Sequence, residues 1–239
     1  MPASETKPAT SPVTNRLIAG LPRIERARLL GVAEPVDLEF GAAICEEGQA
    51  YQHVFFPLTS FVSLMARVSG HPPLEMGLIG NEGMLGATMA LGIDTAPLRG
   101  IVQGTGTALR ITLPKFRRVL AASPRLTLKL DAYLYVLLAQ LSQTAACTRF
   151  HVIESRLARW LLMTHDRAHT DHFHLTHQWL ADMLGVQRSA ITLAAGKLQR
   201  HKLISYSRGE IQILDRAKLE RVSCDCYNLV IEDYAQHLG

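Results

Sequence analysis

The sequence lacks the features of several large protein classes. Its 239 residues contain four widely separated cysteines (Cys45, Cys147, Cys224 and Cys226), so we expect no disulfide framework. Residues 1–12 are polar, which argues against a secretory signal. The most apolar long stretch, residues 126–146, is interrupted by charged and amide side chains, so we predict no membrane span. These absences predict a cytoplasmic protein.

Catalytic patterns are also absent. The sequence contains no nucleophile beside a base, no phosphate-binding glycine loop and no paired carboxylates. The carboxylates Glu46, Glu47, Glu75 and Glu82 show no spacing that implies a pair, and we predict that they are solvated loop charges. We therefore predict no catalytic residues and no enzymatic activity.

The composition is that of an ordinary globular protein. Hydrophobic residues make up 48% of the chain and charged residues 19%, which is enough for a core without disulfides or metals. The length favours one large domain or two ordinary ones. A formal net charge of +4 permits a polyanionic partner without requiring one.

The most informative stretch is residues 175–214, which reads as two helices and a hairpin. Thr176 can cap the first helix, and Gly185 can end it because glycine adopts a left-handed conformation at little cost. A second helix is predicted from about residue 188 to residue 201. Residues 203–214 then alternate around Arg208-Gly209, which is typical of a β-hairpin.

Charge indicates the partner of this segment. Between Met183 and Gly209 the sequence has five basic residues and no acidic one. A helix of this kind, ringed by cations, suits the major groove of DNA with phosphates alongside. The alternative is a small helical domain with a solvated charged face. The predicted DNA-binding residues are Thr176, Gln178, Gln187, Arg188, Ser189, Thr192, Lys197, Arg200 and Arg208.

The N-terminal half has a different pattern. Two short helices are predicted in residues 15–30, and short apolar runs separated by glycine and proline turns follow from residue 36 to residue 113. Many short strands with turn signals predict an antiparallel barrel or sandwich. A short helix is predicted to interrupt them at residues 84–91.

A long helix is predicted after Pro124. Its apolar residues recur every three or four positions over nearly six turns, which is longer than packing on one small domain requires. We predict that it pairs with a second copy across a two-fold axis, although an ordinary core helix is the alternative. The predicted dimer interface is Leu126, Leu130, Tyr133, Leu134, Leu137, Leu138 and Leu141.

This arrangement resembles the CRP/FNR family of bacterial transcription regulators. The most specific part is residues 175–220, and the turns at residues 41–49 and 80–86 are similar to the family's β-roll turns. The resemblance implies an α+β fold: an N-terminal antiparallel β-roll resembling cyclic-nucleotide-binding domains, a dimerisation helix, and a C-terminal winged helix-turn-helix. The predicted boundaries are a disordered tail at 1–13, the roll at 14–122, the dimerisation helix at 123–149 and the DNA-binding domain at 150–239.

The roll departs from the pattern of cyclic-AMP-binding members. Those members hold the ribose with a glutamate and the phosphate with an Arg-Ser pair, whereas this sequence has Ala87 and Ala96-Pro97 there. A buried phosphate without a cation is costly, so cyclic AMP in the usual mode is not expected. The effector-pocket candidates are Gly83, Leu85, Gly86, Ala87 and Arg99. No cysteine precedes Cys45, so no iron–sulfur cluster is expected, while haem remains open.

The predicted recognition helix also departs from the family. The common base-reading trio is Arg, Glu and Arg, and this sequence has Arg188, Ser189 and Leu193. Arg188 can still contact guanine through two hydrogen bonds. A different operator is therefore expected, with Gln187, Ser189 and Thr192 as candidates for the altered readout.

No metal site is predicted. Five histidines lie within thirteen residues, at 165, 169, 172, 174 and 177, but residues 172–174 are expected in an exposed loop. Cys224 and Cys226 are too close in sequence for the usual zinc knuckle. Cys147 lies near the end of the dimerisation helix, where it could face the same residue of a second copy, and we expect a structural role for it. A zinc or nickel site in the histidine tract and a redox-sensitive pair at Cys224 and Cys226 are the alternatives.

Together these patterns predict a homodimeric, sequence-specific transcription regulator. Its partners would be a near-palindromic double-stranded operator and RNA polymerase, with half-sites about 34 Å apart. Alternative readings are a regulatory module that acts through protein contacts and a sensor of a ligand, metal or redox state.

Overall fold

The computed structural model describes residues 14–168 and 170–238 and has a mixed α and β architecture. The predicted disordered tail at 1–13 and His169 of the histidine tract lie outside the described residues. The strands are β1 (Glu34–Leu38), β2 (Ala43–Cys45), β3 (His53–Pro57), β4 (Phe61–Ala66), β5 (Leu74–Ile79), β6 (Arg99–Gly104), β7 (Gly106–Thr112), β8 (His172–His174), β9 (Ile204–Ser207) and β10 (Glu210–Ile213).

Helices lie before, between and after these strands. They are α1 (Arg16–Ala19), α2 (Arg23–Leu30), α3 (Leu113–Ala121), α4 (Pro124–Phe150), α5 (Ile153–Ala168), α6 (His177–Leu184), α7 (Arg188–Arg200), α8 (Arg216–Val222) and α9 (Cys226–Leu238). Among the described residues, none of these helices combines the length and the apolarity that crossing a bilayer requires.

The first seven strands form two antiparallel sheets, with strand orders β1-β7-β3 and β2-β6-β4-β5. Val54 of β3 pairs with Ile111 of β7, and the side chains of both are enclosed in one core with Phe56 and Phe116. Most side chains of β3 and β4 are buried, because these apolar strands pack on that core. The predicted antiparallel roll is confirmed.

Two details of the roll differ from the expectation. Strand β2 was not predicted, since it has three residues and no buried side chain. The helix expected at residues 84–91 is a short 3₁₀ helix at Ala87–Leu91, entered through Gly86 with a φ of 92°. A positive φ favours glycine and prevents a longer α-helix from starting earlier.

The short helices α1 and α2 confirm the prediction for residues 15–30. Asn15 caps α1, because its side-chain oxygen accepts hydrogen bonds from the amides of Leu17 and Ile18. Its side-chain amide donates to the carbonyls of Pro57 and Gly83 at 3.1 and 2.7 Å. One buried side chain therefore both starts α1 and attaches it to the roll.

Helix α4 is the longest element, with 27 residues and a length of about 40 Å. Leu126, Leu130 and Tyr133 are each 0% exposed and belong to the core of the roll. The prediction of these three residues in a dimer interface is wrong, because side chains enclosed by their own chain have no surface left for a partner. Leu134, Leu137 and Leu141 are half-buried, and Leu138 is exposed.

The C-terminal elements α5 to α9 and β8 to β10 form the second unit, which we call the head. Strand β8 pairs with β10, which pairs with β9, in a three-stranded antiparallel sheet. Residues 172–174 were expected in an exposed loop, but they form a strand in which the side chains of His172 and His174 are exposed. Phe173 is buried in the core of the head, and this burial holds β8 in the sheet.

The roll and the head share buried contacts. Phe61 and Leu78 of the roll pack in the core of the head. Gln140 of α4 accepts a hydrogen bond from the Leu78 amide at 2.9 Å and donates one to the Tyr234 hydroxyl of α9 at 3.3 Å. The two units are therefore joined through side chains as well as through the α4–α5 connection.

Two carboxylates predicted as solvated loop charges lie at this boundary instead. Glu75 is buried and accepts hydrogen bonds from Ser63 and from Trp160 in α5. Glu82 is buried and forms a salt bridge with Arg167 of α5, with 2.7 Å between the closest atoms. The prediction was wrong for both because their partners lie about 85 positions away in the sequence.

Candidate nucleic-acid interface

Helix α6 begins and ends at the residues that the sequence indicated. The Thr176 hydroxyl accepts a hydrogen bond from the Trp179 amide at 3.1 Å, and Gly185 ends the helix with a φ of 62°. Leu180 and Leu184 are buried against the core of the head. The first helix of the predicted helix-turn-helix is thus fixed by its cap, its terminal glycine and its apolar face.

Helix α7 lies across α6 and separates an inner face from an outer face. Ile191, Ala195 and Leu198 face inward, as predicted, and Ala194 is buried beside them. Gln187 occupies the N-cap position with an extended backbone. Gln187, Arg188 and Ser189 are all exposed, so the N-terminal end of α7 is accessible. Free amides at such an end carry partial positive charge, which favours a nearby anion.

The outer face of α7 is exposed. The residues on it are Arg188, Ser189, Thr192 and Leu193, and Leu193 is 69% exposed. In the sequence, Leu193 stands where the common base-reading trio has its second arginine. Its exposure adds an apolar contact point to the polar residues around it.

Among the described residues, three of the predicted cationic contacts form no salt bridge: Arg188, Arg200 and Arg208. Lys197 differs, because its ammonium group lies 3.2 Å from the carboxylate of Glu154 in α5. An exposed pair of this kind contributes little stability, so the lysine can exchange partners at small cost. The unpaired arginines are the cations that α7 and the hairpin present to an anionic partner.

Thr192 and His177 connect the two helices. The Thr192 hydroxyl donates to the Arg188 carbonyl at 3.1 Å, and its oxygen lies 3.0 Å from Nδ1 of His177. Because the hydroxyl proton is used for Arg188, the Nδ1 atom carries the ring proton and donates it to the Thr192 oxygen. The His177 ring stacks on Tyr206 of β9, with 4.1 Å between the ring centres. Burial and the charge of Arg188 lower the pKa of His177, so the ring is neutral at pH 7.

Two more predicted contacts, Thr176 and Gln178, lie on the exposed side of α6. The Thr176 hydroxyl is occupied by its cap, and the Gln178 amide donates to Asp182 at 2.9 Å within the same helix. Both side chains are accessible, but the Thr176 hydroxyl and the Gln178 amide nitrogen already have partners inside the chain. A partner would have to share those groups.

The hairpin after α7 is a wing formed by β9 and β10. Its turn residues Arg208 and Gly209 both have positive φ, 51° and 87°. Two consecutive positive φ values match the two-residue turn whose twist fits a right-handed hairpin. This geometry places the Arg208 side chain at the exposed tip of the wing.

The effector-pocket candidates lie in different places. Leu85, Gly86 and Ala87 line an apolar cavity of about 40 Å³ between the roll and Leu134, Leu137 and Leu141 of α4. Within the described part of the chain, Gly83 and Arg99 do not line this cavity. Gly83 packs against Tyr133, and the Arg99 guanidinium forms a salt bridge with Glu46 at 3.0 Å.

Three histidines of the tract have separate partners. His165 contacts Asp171, His174 contacts Glu210, and His177 contacts Thr192. Their ring nitrogens therefore do not converge on one point in the described part of the chain.

A different group of metal-binding residue types does converge, and it was not predicted from the sequence. The side chains of Cys147, His151, Cys224 and Cys226 place one sulfur or nitrogen atom each within 4.8 Å of one another. We call these four residues the cysteine–histidine cluster. Its members come from the end of α4 and the α8–α9 connection, and only the fold brings them together.

Comparisons with known proteins agree with this architecture. Residues 155–222 match the family model described as the Crp-like helix-turn-helix domain. A comparison with curated proteins gives no match.

Several solved structures have a similar fold. FixK2 from Bradyrhizobium japonicum has a TM-score of 0.66 and 14% identity over 81% of this chain and 98% of its own. The c-di-GMP-responsive global regulator CLP from Xanthomonas campestris has a TM-score of 0.64 and 17% identity over 80% and 99%. A CRP/FNR-family transcriptional regulator from Thermus thermophilus has a TM-score of 0.60 and 21% identity over 80% and 98%.

These likenesses extend over both the roll and the head, whereas the family model covers the central part of the head. The chain therefore has a Crp-like helix-turn-helix domain, at residues 155–222, within the fold of the CRP/FNR family of transcriptional regulators.

Proposed function

We propose that this protein is a homodimeric transcription regulator that binds a specific sequence of double-stranded DNA through the outer face of α7. The observation that carries this proposal is the exposed face of Arg188, Ser189, Thr192 and Leu193, beside cations without acidic partners. An α-helix fits the major groove, and its N-terminal residues reach the base edges.

The residue types on this face suggest distinct roles. Arg188 would contact the O6 and N7 atoms of guanine, and Leu193 would contact the methyl group of thymine. Gln187 and Ser189 would contact neighbouring bases. Arg200 and Arg208 would contact phosphates on either side of the groove, which contributes affinity but no sequence preference.

Dimerisation would use the exposed face of α4, on another side of the helix from the buried residues Leu126, Leu130 and Tyr133 that were predicted. Leu128, Tyr135 and Leu138 are exposed, and Leu134 and Leu141 lie half-buried along the same side of the helix. Exposed apolar residues along a long helix are typical of an interface between copies. A two-fold axis along α4 would present two heads to half-sites about 34 Å apart.

The roll would not bind cyclic AMP in the usual mode. Its cavity of about 40 Å³ is far smaller than the ~300 Å³ or more of typical small-molecule sites, and Pro97 and Leu98 line it. A cyclic phosphate there would lack a compensating cation, because Arg99 is paired with Glu46 outside the cavity.

Contact with RNA polymerase and a location in the cytoplasm follow from this proposed role. A dimer bound at a promoter would lie close to RNA polymerase and could contact it. Both the polymerase contact and the cytoplasmic location depend on the proposed DNA binding.

The first experiment is selection of random duplex DNA by the purified full chain, followed by sequencing. The expected result is a two-fold-symmetric motif with guanine at a position that Arg188→Ala no longer selects. Arg221→Ala is the matched control, since it removes an exposed cation from α8 in the head but away from α7. The control should weaken binding slightly and leave the motif unchanged.

Selection is then repeated with cyclic dinucleotides, cyclic GMP and haem, because c-di-GMP is an effector of one structurally similar regulator. Enrichment that requires one of these compounds would identify an effector. Failure to enrich any motif in every condition would contradict sequence-specific DNA binding.

A further inference from the structure

The cysteine–histidine cluster lies where three parts of the chain meet. Cys147 is on the last turn of α4, and His151 follows that helix at the connection to α5. Cys224 lies between α8 and α9, and Cys226 begins α9. The three cysteines are buried together as a small separate core, and His151 is exposed at its edge.

The distances within the cluster fit one metal ion. The sulfur atoms of Cys147 and Cys224 are 3.5 Å apart, and the sulfur of Cys226 is 3.3 Å from Nδ1 of His151. Tetrahedral zinc with Zn–S bonds of about 2.3 Å and Zn–N bonds of about 2.0 Å would hold the ligand atoms about 3.5 to 3.8 Å apart. The two observed separations therefore need only a small adjustment of the side chains. The ligands of an iron–sulfur cluster bind different iron atoms and lie farther apart, so one ion fits better.

The cysteines are also not arranged as a disulfide. All four cysteines of the chain are free thiols, and a sulfur–sulfur distance of 3.5 Å far exceeds the ~2.05 Å of a disulfide bond.

The charges around the cluster support a bound metal. Arg156 and Arg159 are buried in the head near the thiols, and neither forms a salt bridge with a carboxylate among the described residues. Zinc bound by three thiolates and one neutral imidazole would have a net charge of −1. Buried cations without carboxylate partners are costly, and this negative site would offset their charge.

A neighbouring side chain orients one of the ligands. The Gln143 amide donates a hydrogen bond to the sulfur of Cys226 at 2.9 Å. Hydrogen bonds to the ligands of a metal fix their orientation and raise the affinity of the site.

We propose that the cysteine–histidine cluster binds a single Zn²⁺ ion through three thiolates and the Nδ1 atom of His151. Binding converts the three thiols to thiolates and releases their protons to solvent, with no change in oxidation state. The ion attaches the start of α9 to the end of α4 and to the α4–α5 connection. It therefore stabilises the position of the C-terminal helix and the joint between the long helix and the head.

Metal content of the untagged full chain, purified with a reductant and dialysed against metal-free buffer, tests this proposal. The expected result is one zinc ion per chain, measured by inductively coupled plasma mass spectrometry. The variants His151→Ala and Cys226→Ser should lose most of the zinc, with affinity reduced more than about tenfold. Cys45→Ser is the matched control, because Cys45 lies in β2 outside the cluster, and it should retain the full zinc content.

Several outcomes would overturn the assignment. They are absence of zinc even after reconstitution with zinc salt, full zinc content in both ligand variants, and iron with acid-labile sulfide in place of zinc. Substitution with Co²⁺ gives a second readout, since a thiolate-bound tetrahedral ion absorbs intensely in the visible range and an octahedral surface ion does not. His151 is exposed, so His151→Ala should fold even if a buried cysteine variant does not. None of these measurements depends on DNA binding.

Discussion

The indole Nε1 of Trp160 in α5 donates a hydrogen bond to Oε1 of Glu75 in β5, with 2.7 Å between the two atoms. The Ser63 hydroxyl donates to the other oxygen of the same carboxyl group at 2.6 Å. This buried contact joins the head to the roll, so the two units share a polar group that titrates. Burial raises the pKa of Glu75 from 4.5 to about 7, although these two hydrogen bonds and the charges of Arg159 and Arg167 oppose the rise.

Glu75 should make the stability of the protein depend on pH. Its folded pKa exceeds its unfolded pKa, so the folded state binds more protons between pH 4.5 and 7. The stabilisation is fully present below about pH 4.5 and is lost as the pH rises through 7. We expect Glu75→Gln to raise the free energy of unfolding at pH 8 by about 3 kcal/mol relative to the native chain.

Denaturant unfolding at pH 5 and pH 8 measures this effect. Glu232→Gln serves as the control, because Glu232 is exposed on α9 and should leave the pH dependence unchanged. An identical pH profile for the native chain and Glu75→Gln would show that Glu75 does not titrate in this range.

The salt bridge between Glu82 and Arg167 should affect the free energy of unfolding strongly, because both charges are buried. Both side chains are nearly enclosed, and the Glu82 carboxylate also accepts the Gly80 amide at 3.0 Å. Glu82→Gln should lower the free energy of unfolding by about 3–5 kcal/mol, because it leaves an unpaired charge in the interior. The measurement is denaturant unfolding at neutral pH.

The paired variant Glu82→Gln with Arg167→Met is the control for that prediction. Removal of the buried charge as well should recover part of the lost stability. If both variants unfold alike, the cost arises from packing and not from the unpaired arginine.

Leu193 should contribute to sequence preference without contributing to stability. It is 69% exposed, so Leu193→Ala should change the free energy of unfolding by less than about 0.5 kcal/mol. If it contacts a thymine methyl group, the variant should select thymine less strongly at one position of each half-site. Sequencing of selected DNA measures this change, and an unaltered motif would remove Leu193 from the readout.

Leu138 should be needed for dimerisation. It is 64% exposed at the centre of the outward face of α4. A glutamate there would place two like charges near the proposed two-fold axis, so Leu138→Glu should shift the protein to monomers in analytical ultracentrifugation. Leu91→Glu is the control, since Leu91 is similarly exposed but lies in the roll. A dimer that tolerates Leu138→Glu would place the interface elsewhere.

The helix-turn-helix was predictable because its signals are local. The Thr176 cap, the Gly185 stop and the inward residues Ile191 and Leu198 are each encoded within a few positions of the helix that they define. The wing was predictable for the same reason, since Arg208-Gly209 suits the turn that the hairpin adopts.

The faces of α4 were not predictable in this way. Its apolar residues recur so regularly that the sequence does not distinguish the side that packs on the roll from the side that remains exposed. Leu130 and Leu138 belong to the same periodic pattern, yet one is enclosed by the chain and the other is exposed. Which side is buried depends on where α4 is placed against the two sheets.

The sequence by itself determined the fold class, the helix-turn-helix and the cationic character of its surface, because these depend on periodicity, caps and charge along short stretches. Only the tertiary structure decided the partners of Glu75 and Glu82 and the assembly of the cysteine–histidine cluster. Cys147 and Cys224 are separated by 77 positions and come within 3.5 Å. Contacts at that separation depend on how whole elements pack, and no local pattern in the sequence records them.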